Sequence, residues 1–121
     1  MRVRATQQSF YKRETLLTNL LVFIQPTNPP TKDETILLSA HFDSALYSPG
    51  ASDDGTGVAV LLEVLRNFCS TDGLPENSRS VLILINDGEE AGLLGSEMLS
   101  QHEWADNVTK FINIDSTGSH G

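Results

Sequence analysis

Residues Ser80 to Asn86 read S-V-L-I-L-I-N, an unbroken aliphatic run of strand length. A sheet with one wet face alternates apolar and polar side chains, so a continuous run of this kind reads as a strand covered on both faces. Working outward, three more segments share the β-branched and aliphatic bias: Thr18 to Gln25, Thr35 to Ala40 and Lys110 to Ile114. The latter two also read as buried strands. Two helical patterns lie between them. Val58, Leu61, Leu62, Leu65 and Phe68 recur at spacings of three and four from Gly57 to Cys69, and Leu93, Leu94 and Met98 form the apolar side of Glu90 to Gln101. Strand, helix, strand, helix, strand is the alternation of a parallel sheet with right-handed crossovers. Thr18–Gln25 is expected to pair antiparallel with Thr35–Ala40 through the Pro26 to Asp33 loop. The fold class is therefore α/β with a mixed, mostly parallel sheet, and residues 1–121 form a single domain.

Composition narrows the function. Among 121 residues, 8 Lys+Arg stand against 16 Asp+Glu, a net charge of -8. This excludes electrostatic nucleic-acid binding and argues against adsorption to anionic membrane surfaces. The longest apolar stretch, Leu16 to Ile24, falls far short of the roughly 20 residues that span a bilayer, so no membrane contact is expected within this segment. Met1, Arg2 and Arg4 are not followed by the apolar core of a secretory signal. The single cysteine, Cys69, excludes an internal disulfide framework and a Cys-rich zinc site, and it reads as a buried apolar side chain. Any metal must be held by histidine and carboxylates.

In open α/β sheets ligands bind beyond the carboxyl ends of the strands, and ionisable residues gather there. His41 and Asp43 follow the strand ending at Ala40, and Asp53 and Asp54 lie in the loop before the first helix. Glu89 and Glu90 follow Asn86, and Asp115 follows Ile114. Like charges brought to one edge repel unless protonated or bound to a cation. One imidazole with several carboxylates suits zinc, manganese or another first-row ion better than calcium, and the number of carboxylates allows two ions ~3.5 to 4 Å apart. Plainer readings stand beside this one. Asp53-Asp54 could cap a helix, Glu89-Glu90 could serve a helix dipole, His41 could be a core histidine and Asp115 a loop residue. Each would then have to reach the same edge independently. His102 reads as a helix C-terminal surface cation and His120 as part of a frayed end. The sequon Asn107-Val108-Thr109 matters only in a secreted or lumenal protein.

The phrases L-L-S-A-H-F-D-S, S-P-G-A-S-D-D-G-T-G-V-A, N-D-G-E-E-A-G-L-L-G-S and F-I-N-I-D-S-T-G together resemble a known family. They are similar to the co-catalytic zinc exopeptidases related to bacterial leucyl aminopeptidase, aminopeptidase Y and glutamate carboxypeptidase, the peptidase family M28 type. Within it they look closest to the endoplasmic reticulum metallopeptidase and vacuolar membrane protease branch. The resemblance runs from about Leu20 to Gly121 and implies a three-layer sandwich fold and a hydrolase, a metallo-aminopeptidase acting on peptide substrates. It further implies that His41 and Asp115 ligate one zinc, that Glu90 ligates a second, and that Asp53 bridges them across a cis Asp53–Asp54 peptide. The Asp43 carboxylate would orient His41, and Glu89 would be the general base that takes a proton from water and returns it to the departing amine. A parent anchored in the endoplasmic reticulum or vacuolar membrane is implied as well.

The chain departs from that pattern in one respect. The family's further histidine ligand to the second zinc lies well downstream of the residue matched by Asp115, and His120 does not match its place. The expectation is a C-terminally truncated domain that binds one zinc of the family's two through His41, Asp53 and Asp115, with little peptidase activity of its own. The alternative is a non-catalytic scaffold or receptor-type member of the same fold. The single-zinc glutaminyl cyclases form a related subgroup.

Overall fold

The computed structural model describes residues 1–32, 34–70 and 73–116. Five strands, β1 (Arg2–Lys12), β2 (Thr15–Gln25), β3 (Thr35–His41), β4 (Ser80–Asn86) and β5 (Val108–Asn113), form one sheet in the order β1-β2-β4-β3-β5. The pairs β1·β2 and β2·β4 are antiparallel, while β3·β4 and β3·β5 are parallel, which gives the expected mixed sheet. Helix α1 (Thr56–Ser70) connects β3 to β4, and helix α2 (Leu94–Leu99) with a 3-10 turn at Glu103–Ala105 connects β4 to β5.

The aliphatic run of β4 takes the centre, and all seven of its residues are buried. Its pleat divides the core. Val81, Ile83 and Ile85 pack with Ile24, Ala40 and Leu61 on the α1 side, and Leu82 and Leu84 pack with Leu21, Phe23, Leu37 and Leu99 on the α2 side. The domain is thus three layers, helix, sheet and helix. Among the described residues no helix is long and apolar enough to cross a membrane.

Several expectations are corrected. Thr18–Gln25 does not pair with Thr35–Ala40, because β4 lies between them. The most apolar run gains most from two neighbours, and the connection from Pro26 need only pass one strand width, about 5 Å. Strand β1 escapes the pattern because R-V-R-A-T-Q-Q-S-F-Y-K is largely polar and sits at the sheet edge. Its hairpin turns on Arg13 (φ 49°) and Glu14 (φ 65°), which lack the Asn-Gly chemistry that normally announces such a turn. Lys110–Ile114 is not a buried strand: β5 pairs with β3 alone among the described strands, and Phe111 and Ile112 are 60% and 52% exposed. The second helix covers Leu94–Leu99 instead of Glu90–Gln101, since Gly92 (φ 108°) and Leu93 (φ 60°) themselves lie outside the right-handed helical region and interrupt it ahead of Leu94. Cys69 is exposed, off the face that buries Leu61. His102 opens the 3-10 turn instead of closing a helix: its Nδ1 accepts the Trp104 amide hydrogen at 3.1 Å and caps the turn. His120 lies outside the described residues.

Leu61 is the large aliphatic side chain of α1 that is wholly buried. Leu61→Ala should cost about 2–5 kcal/mol, read as a lowered urea midpoint with an unchanged slope.

Candidate metal centre

The parallel register brings three strand ends level. His41 pairs with Asn86 across β3 and β4, and Ser39 pairs with Asn113 across β3 and β5. Residues just beyond those ends, Glu89 and Asp115, therefore come out beside His41. Helices α1 and α2 pack on opposite faces of the sheet, and the carboxyl ends of its parallel strands are where ligands bind in open α/β folds.

His41 is 2% exposed. Its Nδ1 lies 2.9 Å from the Asp43 carbonyl oxygen, which can only accept, so Nδ1 carries the hydrogen and Nε2 turns its lone pair outward. Nε2 stands 3.1 Å from Asp53 Oδ1, 3.9 Å from Asp115 Oδ1 and 3.9 Å from Glu89 Oε2. The donor atoms of His41, Asp53 and Asp115 all lie within 4.8 Å of one another. Bonds of ~2.0–2.1 Å to a tetrahedral zinc place ligand atoms about 3.3 Å apart, so small side-chain adjustments suffice. The chemistry fits too. A lone pair facing two carboxylates needs a positive charge between them, either a proton on Nε2 or a shared cation. The His41 pKa reflects this demand: burial opposes the charged ring, but the Asp43 carbonyl and the charges of Glu89, Asp43 and Asp54 outweigh it and raise the value.

Neighbouring groups hold this arrangement. The Asp53–Asp54 peptide is cis, as the resemblance implies. Asp54, wholly buried, accepts from the His41 amide at 3.2 Å and from the Gly57 amide at 3.1 Å, joining the end of β3 to the start of α1. Burial raises its pKa against the pull of those two amides. The helix-capping reading of Asp53-Asp54 thus holds for Asp54, while Asp53 faces His41. Asp43 orients the imidazole through its carbonyl, with its carboxylate 3.5 Å from Nδ1. That carboxylate accepts from the amides of Glu89 and Glu90, each at 3.1 Å. Glu89 and Glu90 precede α2 by several residues, so they are not its dipole partners. Burial raises the Glu89 pKa, as do the charges of Asp115, Glu90 and Asp43, against the opposing effect of His41. The Glu90 side chain is exposed and lies outside the group of three clustered donors.

The sequence reading missed what Asp54 does, although the Asp54-x-x-Gly57 spacing carries a signal. A Cβ on Gly57 would run into the Asp54 carboxylate oxygens. Gly57→Ala should therefore destabilise the domain by about 1–3 kcal/mol in urea unfolding, well beyond what Ala costs on the exposed side of α1.

A three-layer α/β domain with a His-Asp-Asp donor group at the carboxyl ends of its parallel strands defines a metal-site domain of the kind metallohydrolases use. The chain belongs to peptidase family M28, whose profile matches residues 19–121. The vacuolar membrane protease of Yarrowia lipolytica is 42% identical over 103 residues, covering 85% of this chain and 10% of the relative. The chain thus spans about a tenth of the length of the curated relatives it matches. The zinc aminopeptidase BSAP of Bacillus subtilis superimposes with a TM-score of 0.74 at 28% identity, covering 88% of this chain and 26% of that one. A glutaminyl cyclase of an Acidobacteriales bacterium, TM-score 0.71 at 21% identity over 97% of this chain and 44% of its own, shares the fold.

Proposed function

We propose that this domain carries the zinc ligands and the general base of a metallo-exopeptidase that removes N-terminal residues from peptides. The observation that carries the reading is the convergence of His41 Nε2, Asp53 and Asp115 on one point, with Glu89 beside them. His41, Asp53 and Asp115 are the residues that would hold one zinc, and Asp53 and Glu90 those that would hold a second. Zinc, when bound, supplies a Lewis acid for the scissile carbonyl and the attacking water. Glu89 takes a proton from that water as its oxygen adds to the carbonyl carbon, then hands it to the amine as the C–N bond breaks. Asp43 positions both partners, the imidazole through its carbonyl and the Glu89 segment through its carboxylate. A non-catalytic scaffold would be expected to have lost donors, and every position expected up to Asp115 is present. Similarity to a zinc aminopeptidase supports the choice of metal and reaction.

Glu89→Gln should lower kcat by about 10²- to 10⁴-fold while zinc content stays that of the parent protein. His41→Ala should lose the zinc. Elemental analysis combined with hydrolysis of aminoacyl-anilides before and after chelation reads both effects, and turnover that survives chelation would remove the proposal.

The vacuolar membrane is the proposed location of the protein that carries this domain, on the names of its relatives. With the domain on the lumenal side, the exposed Asn107 of the Asn-Val-Thr sequon becomes a glycan acceptor. Enzymatic removal of N-glycans should then shift the parent protein more than its Asn107→Gln variant. Equal shifts would contradict lumenal placement.

A further inference from the structure

Asn19 is wholly buried in β2, within the otherwise apolar run N-L-L-V-F-I. A buried amide is costly unless hydrogen-bonded, and this one is tied on both sides. Its Oδ1 accepts from the Asp87 amide at 3.2 Å, and its Nδ2 donates to the Gly95 carbonyl at 2.8 Å and to Gln8 Oε1 at 3.0 Å. Asp87 and Gly95 are the two ends of the segment that carries Glu89. Gly95 comes so close that a Cβ there would strike the Asp87 carbonyl and Asn19 Oδ1, so a side chain at this position would force the two ends apart. The Thr18 amide adds a bond to Asp87 Oδ2 at 2.9 Å, and Gln8 Nε2 donates to the Met98 carbonyl at 2.8 Å. Inside the closed segment the Glu89 carbonyl accepts from Gly92 and Leu93.

We infer that Asn19 is a positioning residue for Glu89: it clamps the two ends of the 87–95 segment, and Gln8 of β1 fixes the orientation of the Asn19 amide. The inference rests on the reading of Glu89 as the general base. None of the clustered donors, His41, Asp53 or Asp115, bonds to Asn19, so the clamp and the metal group are separable.

The test uses Asn19→Ala and the milder Gln8→Ala. Hydrogen exchange in this chain should speed up by about tenfold or more at the Gly92 and Leu93 amides, with β3 and β5 amides and zinc content unchanged. In the protein that carries this domain, kcat on aminoacyl-anilides should fall about 10- to 100-fold at constant KM, since small displacements of a reacting group cost that much. Unchanged exchange at 87–95, or an increase spread evenly over the sheet, would overturn the inference. Should Asn19→Ala not fold, Gln8→Ala decides on the same exchange readout. A zinc-loaded parent protein without turnover would instead defeat the peptidase reading, and exchange would still decide the clamp.

Discussion

The register of β3 against β4 and β5 is the constraint on which everything else depends. Side chains alternate across a strand, so a slip of one residue would turn His41 to the other face and part it from Asp53 and Asp115. That register is secured by apolar contacts far from the edge. Leu37 packs with Leu82 and Leu84 on one face and Leu38 packs against the cluster of Val81, Ile83 and Ile85 on the other, so both core layers hold β3 on β4. The core therefore sets the geometry of the charged edge, and the charges do not have to assemble themselves.

At the edge, the like charges are made tolerable by backbone amides. Asp54 is tied to two of them and Asp43 to two more, so two carboxylates are satisfied without a cationic side chain. Hydrogen bonds to an ionised group are worth more than neutral ones, and leaving such a group unpaired when buried is expensive. Asp53 and Asp115 turn carboxylate oxygens toward His41 Nε2, and Asp115 also accepts from Asn113 Nδ2 and Ser116 Oγ. What marks the metal group is the approach of the His41, Asp53 and Asp115 donor atoms to within 4.8 Å of one another.

How much of this could be read beforehand follows from which residues speak locally. The run Ser80–Asn86 states its own burial, the spacing of Val58, Leu61, Leu65 and Phe68 states the packed face of α1 but misplaces Leu62, which is 51% exposed, and the ionisable residues after each strand state the edge. Strand β1 could not be read because its identity comes from pairing with β2, not from its own pattern, and its Arg13-Glu14 turn adopts positive φ without glycine or asparagine. Strand order was equally hidden, since whether Thr18–Gln25 meets β3 or β4 is settled by competition for the central position. Asn19 carries no local signal within its apolar strand; its meaning lies in Gly95, 76 positions away. The family resemblance singled out Asp53, but the burial of Asp54 and its ties to the His41 and Gly57 amides required coordinates.

The exposed flank of β5 has a practical consequence. With Phe111 and Ile112 in solvent and no partner on its outer side among the described strands, β5 is a template on which a second polypeptide can add itself. Mutual repulsion between copies carrying a charge of -8 opposes that growth, and salt weakens the repulsion. Preparations of the isolated domain will stay dispersed best in dilute buffer, and a lysine introduced at Ile112 is the natural remedy where higher ionic strength is needed.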